Sequence, residues 1–191
     1  MLFRSHRVTG LDFNPNYLAI AAADAAAAGV EVTWIKGDMR ALGVTAAYDA
    51  VYSYFTSFGY FEDDDNERVL AEVSRALRPG GRFLLEMANR DHLLTHPEQR
   101  TWTQREDGAL LMEETDLDLV TSRVVTRQLL IDPAGGTQVT KQYTLRTYTC
   151  AELTALMRRH GLAVIAVSGG ADGSPYGPAS RRLAMVAERR D

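Results

Sequence analysis

Two aspartates stand where a carboxylate could bind a sugar or a base. Asp12 closes a short apolar run that begins at Val8, and a helix start follows it directly. A carboxylate accepts hydrogen bonds from both ribose hydroxyls without offering a competing donor, and doubly wound α/β proteins hold a ribose at this kind of strand end. Asp12 also suits a plain helix cap just before Asn14, so the sequence leaves both interpretations open.

The second acid, Asp38, ends the next predicted strand within Gly37-Asp38-Met39-Arg40. Its carboxylate could accept an adenine amino proton while Met39 covers the face of the ring. A simple turn at Gly37-Asp38 is the alternative. Taken together, the two acids suggest a site that frames an adenosine.

The composition limits the class of protein. The chain has 191 residues, 46% of them hydrophobic, and a formal net charge of −4, which predicts one domain able to bury about 70% of its unfolded surface. An acidic balance gives no reason to expect a nucleic-acid partner, and no apolar run approaches a membrane span. A single cysteine, Cys150, favours a reducing cytoplasm, and His6, His96 and His160 lack metal-ligand spacing, so we predict no metal.

The elements around the two acids alternate between strand and helix. Asn14 and Pro15 predict the start of an alanine-rich helix that ends at Gly29 and packs a small-residue face against a sheet. The carboxylates of Asp63-Asp64-Asp65 start an amphipathic helix, with one of them capping its free amides. Further strands are predicted at 30–35, 48–55 and 83–87. The second of them is mostly apolar on both faces, as expected for a strand buried in a parallel sheet. This order predicts a parallel α/β sheet.

The pattern changes after Asn89. Residues 95–148 predict an inserted antiparallel β-lobe of three or four strands within a single 1–191 domain, with turns at Asp107-Gly108 and at residues 132–136. On its last strand, alternate residues share one face: Val139, Lys141, Tyr143, Leu145 and Thr147. Thr149 and Glu152 form a capping-box pair for a helix that ends at Gly161, and strands at 162–167 and 183–188 close the chain.

Five segments together resemble a known family. They are Val-Thr-Gly-Leu-Asp-Phe-Asn-Pro from Val8, Gly-Asp-Met-Arg from Gly37, Tyr-Asp-Ala-Val from Tyr48, Phe-Thr-Ser-Phe-Gly-Tyr-Phe from Phe55, and Leu-Arg-Pro-Gly-Gly-Arg-Phe from Leu77. This pattern is similar to the class I S-adenosylmethionine-dependent methyltransferases of the small-molecule type, and the resemblance extends over essentially the whole chain. It implies a Rossmann-like sheet, S-adenosylmethionine as cofactor and a small-molecule methyl acceptor.

The resemblance assigns roles by position. Asp12, followed by Phe13, would bind the cofactor's ribose, and Asp38 and Met39 its adenine. Tyr54 and Phe55, ending the strand at 48–55, would lie beside the methionine part and the reacting methyl. Weaker candidates on the acceptor side are Tyr60, Asn89, His92, Arg146 and Tyr148, and Tyr176 could cover a ligand. Packing or capping explains several of these equally well, and the acceptor atom stays open between nitrogen, oxygen and carbon.

One departure from the family pattern concerns its first strand and the acidic glycine-rich loop that follows it. Only seven residues precede Val8, so we expect that strand, which in the family lies between those at Val8 and Tyr48, to be missing and two apolar edges to be left open. We favour a truncated or misassigned reading of a longer gene over a second chain or swapped protomer that fills the gap, or a sheet that closes up in a non-catalytic descendant. Cofactor binding and methyl transfer are therefore expected to be impaired, and the rival interpretation is a non-catalytic binding or assembly module with the same fold.

Overall fold

The computed structural model describes residues 6–96, 99–132, 136 and 138–190. Residues 133–135 of the predicted turn at 132–136 lie outside this part. The elements are, in chain order, β1 (Val8–Asp12), α1 (Pro15–Ala27), β2 (Val32–Lys36), β3 (Tyr48–Ser53), α2 (Asp63–Ala76), β4 (Leu77–Ala88), α3 (Arg90–Thr95), β5 (Gln99–Gln104), β6 (Leu110–Asp118), β7 (Arg123–Ile131), β8 (Gln138–Arg146), α4 (Cys150–Arg159), β9 (Leu162–Ser168) and β10 (Arg182–Arg189). Of the helices described, none has both the length and the apolar character needed to cross a bilayer.

Four strands form what we call the central sheet, in the spatial order β3-β4-β10-β9. β3 and β4 run parallel, whereas β10 is antiparallel to both β4 and β9. One face of the sheet packs against α2 and α4 and carries the best-buried side chains, which are Phe83, Leu85, Met87, Leu183 and Met185. Fully burying an apolar side chain of this size contributes about 1.5–3 kcal/mol, so this face dominates the stability of the fold.

Two helices begin as their sequence predicts. The Asn14 side chain accepts a hydrogen bond from the Asn16 amide ahead of α1, and Thr149 and Glu152 form a complete capping box ahead of α4. For α2 the cap prediction is wrong: Glu62 is the N-cap residue and makes no side-chain cap bond. The aspartates of its first turn face arginines instead, because Asp63 pairs with Arg146 and Asp65 with Arg40.

β1, α1 and β2, which we call the N-terminal unit, are packed much more thinly. β1 and β2 form a separate two-stranded parallel sheet, and within the described residues no ladder joins it to β3. None of residues 6–55 is buried, although α1 lies against β1 and β2 as expected. The prediction that the strand at 48–55 is buried on both faces is therefore wrong, since β3 lies at an open edge of the central sheet and Tyr52 is 59% exposed.

The predicted β-lobe contains four antiparallel strands, paired in the order β5-β6-β7-β8. One of its faces turns inward, where Val124, Thr126 and Leu145 are buried. The opposite face is open to solvent and carries Trp102, which is 72% exposed. Such an in–out alternation is expected for a sheet with one covered face. The β-lobe thus covers part of the molecule next to the central sheet.

Candidate functional site

Asp12 and Asp38 lie at the same end of the two-stranded sheet. In the parallel register, Asp12 stands opposite Lys36, the last residue of β2. The Gly37 amide donates to the Asp12 backbone carbonyl at 3.1 Å, which fixes the chain just before Asp38. Because parallel strands end at a common edge, both carboxylates belong to one edge of this sheet.

The Asp12 side chain is held by the turn that starts α1. Its Oδ1 accepts a hydrogen bond from the Asn14 amide at 2.7 Å. Each carboxylate oxygen accepts more than one hydrogen bond, so this contact leaves capacity for two hydroxyl donors. Phe13 follows with its side chain 76% exposed. Asp12 therefore holds the turn ahead of α1, whose N-cap is Asn14, and its role in binding a ribose stays a prediction.

Asp38 is fixed by an arginine that the sequence analysis did not assign. The Arg40 side chain donates from Nε to both carboxylate oxygens at 3.1 Å and from Nη2 at 2.6 Å, and its backbone amide adds a bond at 2.8 Å. The hydrogen bonds from Arg40 lower the pKa of Asp38, so this carboxylate stays ionised and acts as an acceptor. Arg40 also pairs with Asp65 at 2.7 Å and lies over the Phe61 ring. Next to Asp38, Met39 packs against the core.

The loop after β3 has a strained backbone. Tyr54 and Phe55 were predicted to end the strand, but β3 ends at Ser53 and both residues lie in the loop. Phe55 and Thr56 have φ angles of 52° and 60°, which non-glycine residues rarely adopt. The Thr56 amide donates to the Glu86 carbonyl at 3.2 Å, which holds this conformation. The Phe55 ring is 78% exposed and packs edge-on against Tyr54. Strain of this kind concentrates at ligand sites.

Tyr60 connects this loop to the β-lobe. Its ring centroid lies 6.2 Å from that of Tyr143 on β8. Burial raises the pKa of the Tyr60 hydroxyl, with smaller contributions from Tyr143 and from Tyr17 of α1. Tyr60 therefore contacts Tyr143 of the β-lobe, and of these two tyrosines the sequence analysis assigned only Tyr60 to the site. Because Tyr60 and Tyr143 are far apart in the chain, the sequence gave no sign of their contact, although it placed Tyr143 on one face of the last strand of the β-lobe.

Asn89 and His92 hold the loop after β9 in position. The Asn89 Nδ2 donates to the carbonyls of Gly177 and Ser180 at 2.9 and 2.7 Å, and its Oδ1 accepts from the Asp91 amide. With a relative exposure of 1%, Asn89 has its amide occupied by the protein itself. His92 Nδ1 lies 3.2 Å from the Pro178 carbonyl.

Tyr176 belongs to the same loop and donates to the Asp91 carboxylate at 3.0 Å. Burial, followed by this hydrogen bond, raises its pKa to about 12. Tyr176 therefore fastens the loop after β9 to the start of α3.

Arg146 and Tyr148 lie beside α2 and α4 rather than beside β1 or β2. Arg146 pairs with Asp63 at 3.2 Å and with Glu152 at 3.1 Å, and its guanidinium lies over the Tyr148 ring. Tyr148 is buried against Phe58, and burial raises its pKa to about 12. The two residues line a cavity of about 280 Å³. Their contacts do not bring them to the edge that carries Asp12 and Asp38.

Comparison with sequences of known proteins gives two kinds of match. The family model described as "Methyltransferase domain" matches residues 1–81. A demethylmenaquinone methyltransferase from Thermus thermophilus is 42% identical over 79 residues, which are 41% of this chain and 34% of that protein. A cypemycin N-terminal methyltransferase from a Streptomyces species is 29% identical over 173 residues, 84% of this chain and 66% of that protein. The chain therefore spans between one third and two thirds of the length of these relatives.

Solved structures match over nearly the whole chain. An S-adenosylmethionine-dependent methyltransferase from Clostridium acetobutylicum superimposes with a TM-score of 0.84 at 14% identity, covering 97% of this chain and 76% of that one. CalS10, an amino pentose methyltransferase from Micromonospora echinaspora, gives a TM-score of 0.66 at 25% identity. This match covers 96% of the present chain and 74% of CalS10. The sequence matches are to methyltransferases, and the solved structures show that the chain has the mixed α/β, Rossmann-like fold of class I S-adenosylmethionine-dependent methyltransferases.

Proposed function

We propose that the protein transfers a methyl group from S-adenosylmethionine to a small-molecule acceptor. The observation that carries this proposal is the pair of carboxylates, Asp12 and Asp38, at the common end of two adjacent parallel strands. Both are acceptors held by backbone amides of their own turns. That donor and acceptor chemistry fits an adenosine, whose ribose hydroxyls and amino group are donors.

The chain's own residues then divide the binding work. Asp12 accepts hydrogen bonds from the ribose hydroxyls, and Asp38, kept ionised by Arg40, accepts one from the adenine amino group. Met39 lies beside the adenine ring. Tyr54 and Phe55, on the strained loop after β3, present aromatic surface next to the methionine portion. When bound, S-adenosylmethionine supplies an electrophilic methyl group for in-line displacement.

The remaining task of the protein is to hold the acceptor opposite that methyl group, about 3 Å away, and to exclude water. The Tyr60 and Tyr143 rings link the loop after β3 to the β-lobe, so the β-lobe is suited to roof the acceptor. An amine acceptor must be neutral to attack, and the partly apolar surroundings of these rings favour its neutral form. The β-lobe would thereby determine which acceptor binds.

We propose an amine as the acceptor. The cypemycin N-terminal methyltransferase matches 84% of this chain, whereas the quinone-pathway relative from Thermus thermophilus matches 41%. The amino pentose methyltransferase likewise aligns over 96% of the chain. The likenesses that extend over most of the chain thus support nitrogen, while the shorter match to the demethylmenaquinone methyltransferase does not discriminate.

Cofactor binding by this chain is expected to be weak. Asp12 and Asp38 only accept hydrogen bonds, so they cannot hold the carboxylate of the cofactor's amino acid. The N-terminal unit, which carries Asp12, also has no buried residue to fix its position. Weak binding is consistent with the impaired activity that the sequence predicts.

The test is a methyl-transfer assay with radiolabelled S-adenosylmethionine and three acceptors: an aminosugar, a peptide with a free amino terminus, and a hydroquinone. We expect label on the amines only. Asp12→Asn and Asp38→Asn should lower kcat/KM about 10- to 100-fold, because each removes charge-assisted hydrogen bonds of about 1.5–3 kcal/mol. Asp24→Asn, an exposed aspartate on α1, is the matched control. No label on any acceptor, together with no binding of S-adenosylhomocysteine at millimolar concentration, would overturn the proposal.

A non-catalytic binding or assembly module is the second candidate. It is favoured by the exposed apolar side chains of the N-terminal unit, where Tyr17 and Ile20 are both 59% exposed. A module of this kind would use that surface for association. This candidate predicts that the chain self-associates in sedimentation experiments and that Tyr17→Ser and Ile20→Ser abolish the self-association. S-adenosylhomocysteine should not change the degree of self-association.

A further inference from the structure

An ion pair between neighbouring strands lies at the end of the central sheet. Arg182 begins β10 and stands opposite Ala88, while Glu86 stands opposite Ala184, so both side chains lie on the same face. The Arg182 Nε donates to the Glu86 carboxylate, which is almost completely buried. A buried carboxylate needs a charged partner, and Arg182 supplies it. Sequence reasoning missed this pair because 96 residues separate its members.

Part of the Arg182 guanidinium has no partner in the protein. Its Nη2 is buried and finds no acceptor among the described residues. The side chain as a whole is 32% exposed, so part of Arg182 is open to solvent. Arginine offers five N–H donors in a planar fork that matches two oxygens of one anion. A buried donor without an acceptor is costly, and proteins rarely keep one without a use.

The surroundings of Arg182 belong to the candidate site. Its Cζ lies 6.0 Å from the centre of the Phe55 ring, which stands on the strained loop after β3. That loop is itself tied to Glu86, whose carbonyl accepts from the Thr56 amide. Glu86 thus contacts both the arginine through its carboxylate and the aromatic loop through its backbone.

We infer that Arg182, oriented by Glu86, binds an oxyanion, a carboxylate or a phosphate, on a ligand that lies against Phe55. Glu86 is the positioning residue, because its hold on Nε fixes the plane of the guanidinium. The inference rests on the proposed function, in which Asp12 and Asp38 provide acceptors and no donor. The oxyanion has two sources: the carboxylate of the cofactor's amino acid, or an anionic group on the methyl acceptor.

Calorimetric titration with three probes separates these sources. S-adenosylhomocysteine carries the carboxylate, 5′-methylthioadenosine has the same nucleoside and thioether without it, and inorganic phosphate is the anion alone. If Arg182 binds the cofactor's carboxylate, Arg182→Gln lowers the affinity for S-adenosylhomocysteine at least tenfold and changes the affinity for 5′-methylthioadenosine by less than twofold. If Arg182 binds an anionic group on the methyl acceptor, Arg182→Gln leaves the affinities for both nucleosides unchanged and lowers the affinity for phosphate at least fivefold.

Folding is controlled with a second variant, because Arg182→Gln alone leaves Glu86 buried and unpaired. The double variant Arg182→Gln/Glu86→Gln removes both charges and should lose the same binding. Arg78→Gln, which breaks a pair with Asp49 near the other end of β4, is the matched control and should bind like the original chain. Unchanged binding of all three probes in both Arg182 variants would overturn the inference. Absence of nucleoside binding to the unaltered chain would instead contradict the proposed function, and the phosphate titration would still test Arg182.

Discussion

The N-terminal unit and the central sheet differ sharply in how they are packed. No residue between 6 and 36 is buried, whereas Phe83, Leu85 and Met87 of β4 have a relative exposure of 0%. The alanines of α1 bury little area each, while α2 and α4 press large apolar side chains onto the central sheet. The contrast teaches that the stability of the fold and the predicted adenosine site belong to different parts of the chain.

The largest expected effect contrasts one apolar residue from each region. Leu85→Ala should lower the free energy of unfolding by about 2–5 kcal/mol, because it leaves a cavity in the core. Ile20→Ala, on the exposed side of α1, should change it by less than about 0.5 kcal/mol. Urea denaturation of both variants measures the difference. Equal losses would break the comparison, since they would mean that the N-terminal unit is packed as firmly as the sheet.

A pair of glycines sharpens the comparison at the level of the backbone. Gly59 has a φ of 106°, and a Cβ there would meet the Arg146 carbonyl oxygen at 2.5 Å. Gly59→Ala should therefore cost about 1–3 kcal/mol from strain, with the clash in addition. Gly29, after α1, has a φ of 63° and open space around it, so Gly29→Ala should cost about 1 kcal/mol. Thermal unfolding of the two variants checks this order, and the reverse order would contradict it.

The smallest expected effect is a pH dependence within the site. Because hydrogen bonds from Arg40 lower the pKa of Asp38, the folded state gains stability from this carboxylate above its ordinary pKa. That stability is lost as the pH falls through the lowered value. An NMR titration should find the pKa of Asp38 below the ordinary value of an aspartate, and Arg40→Gln should return it toward that value. A pKa unaffected by Arg40→Gln would show that the arginine does not set the charge of this site.

Local features of the fold could be predicted from the sequence. The Asn14 cap and the Thr149–Glu152 capping box follow from spacings of two or three residues, and the structure contains both. The strands of the β-lobe followed from alternation and turn residues, and all four pair as antiparallel neighbours. Such signals are local because the hydrogen bonds that they describe are local.

Long-range features could not be predicted in the same way. The Glu86–Arg182 pair and the Tyr60–Tyr143 contact join residues far apart in the chain, and their types alone do not specify partners. The exposure of β3 depends on which strand lies beside it, which its apolar sequence does not encode. The sequence therefore suggested the carboxylates of the candidate site, but it did not single out Arg40, which holds Asp38, or Arg182, which pairs with Glu86.

The most direct test of the central claim follows backbone amides by NMR during titration with S-adenosylhomocysteine, a method that detects millimolar binding. The account predicts shifts at Asp12 and Phe13 and at Gly37–Met39 in the unaltered chain and in Asp24→Asn, and their loss in Asp12→Asn. Shifts confined to other parts of the chain, or identical shifts in Asp12→Asn, would contradict it.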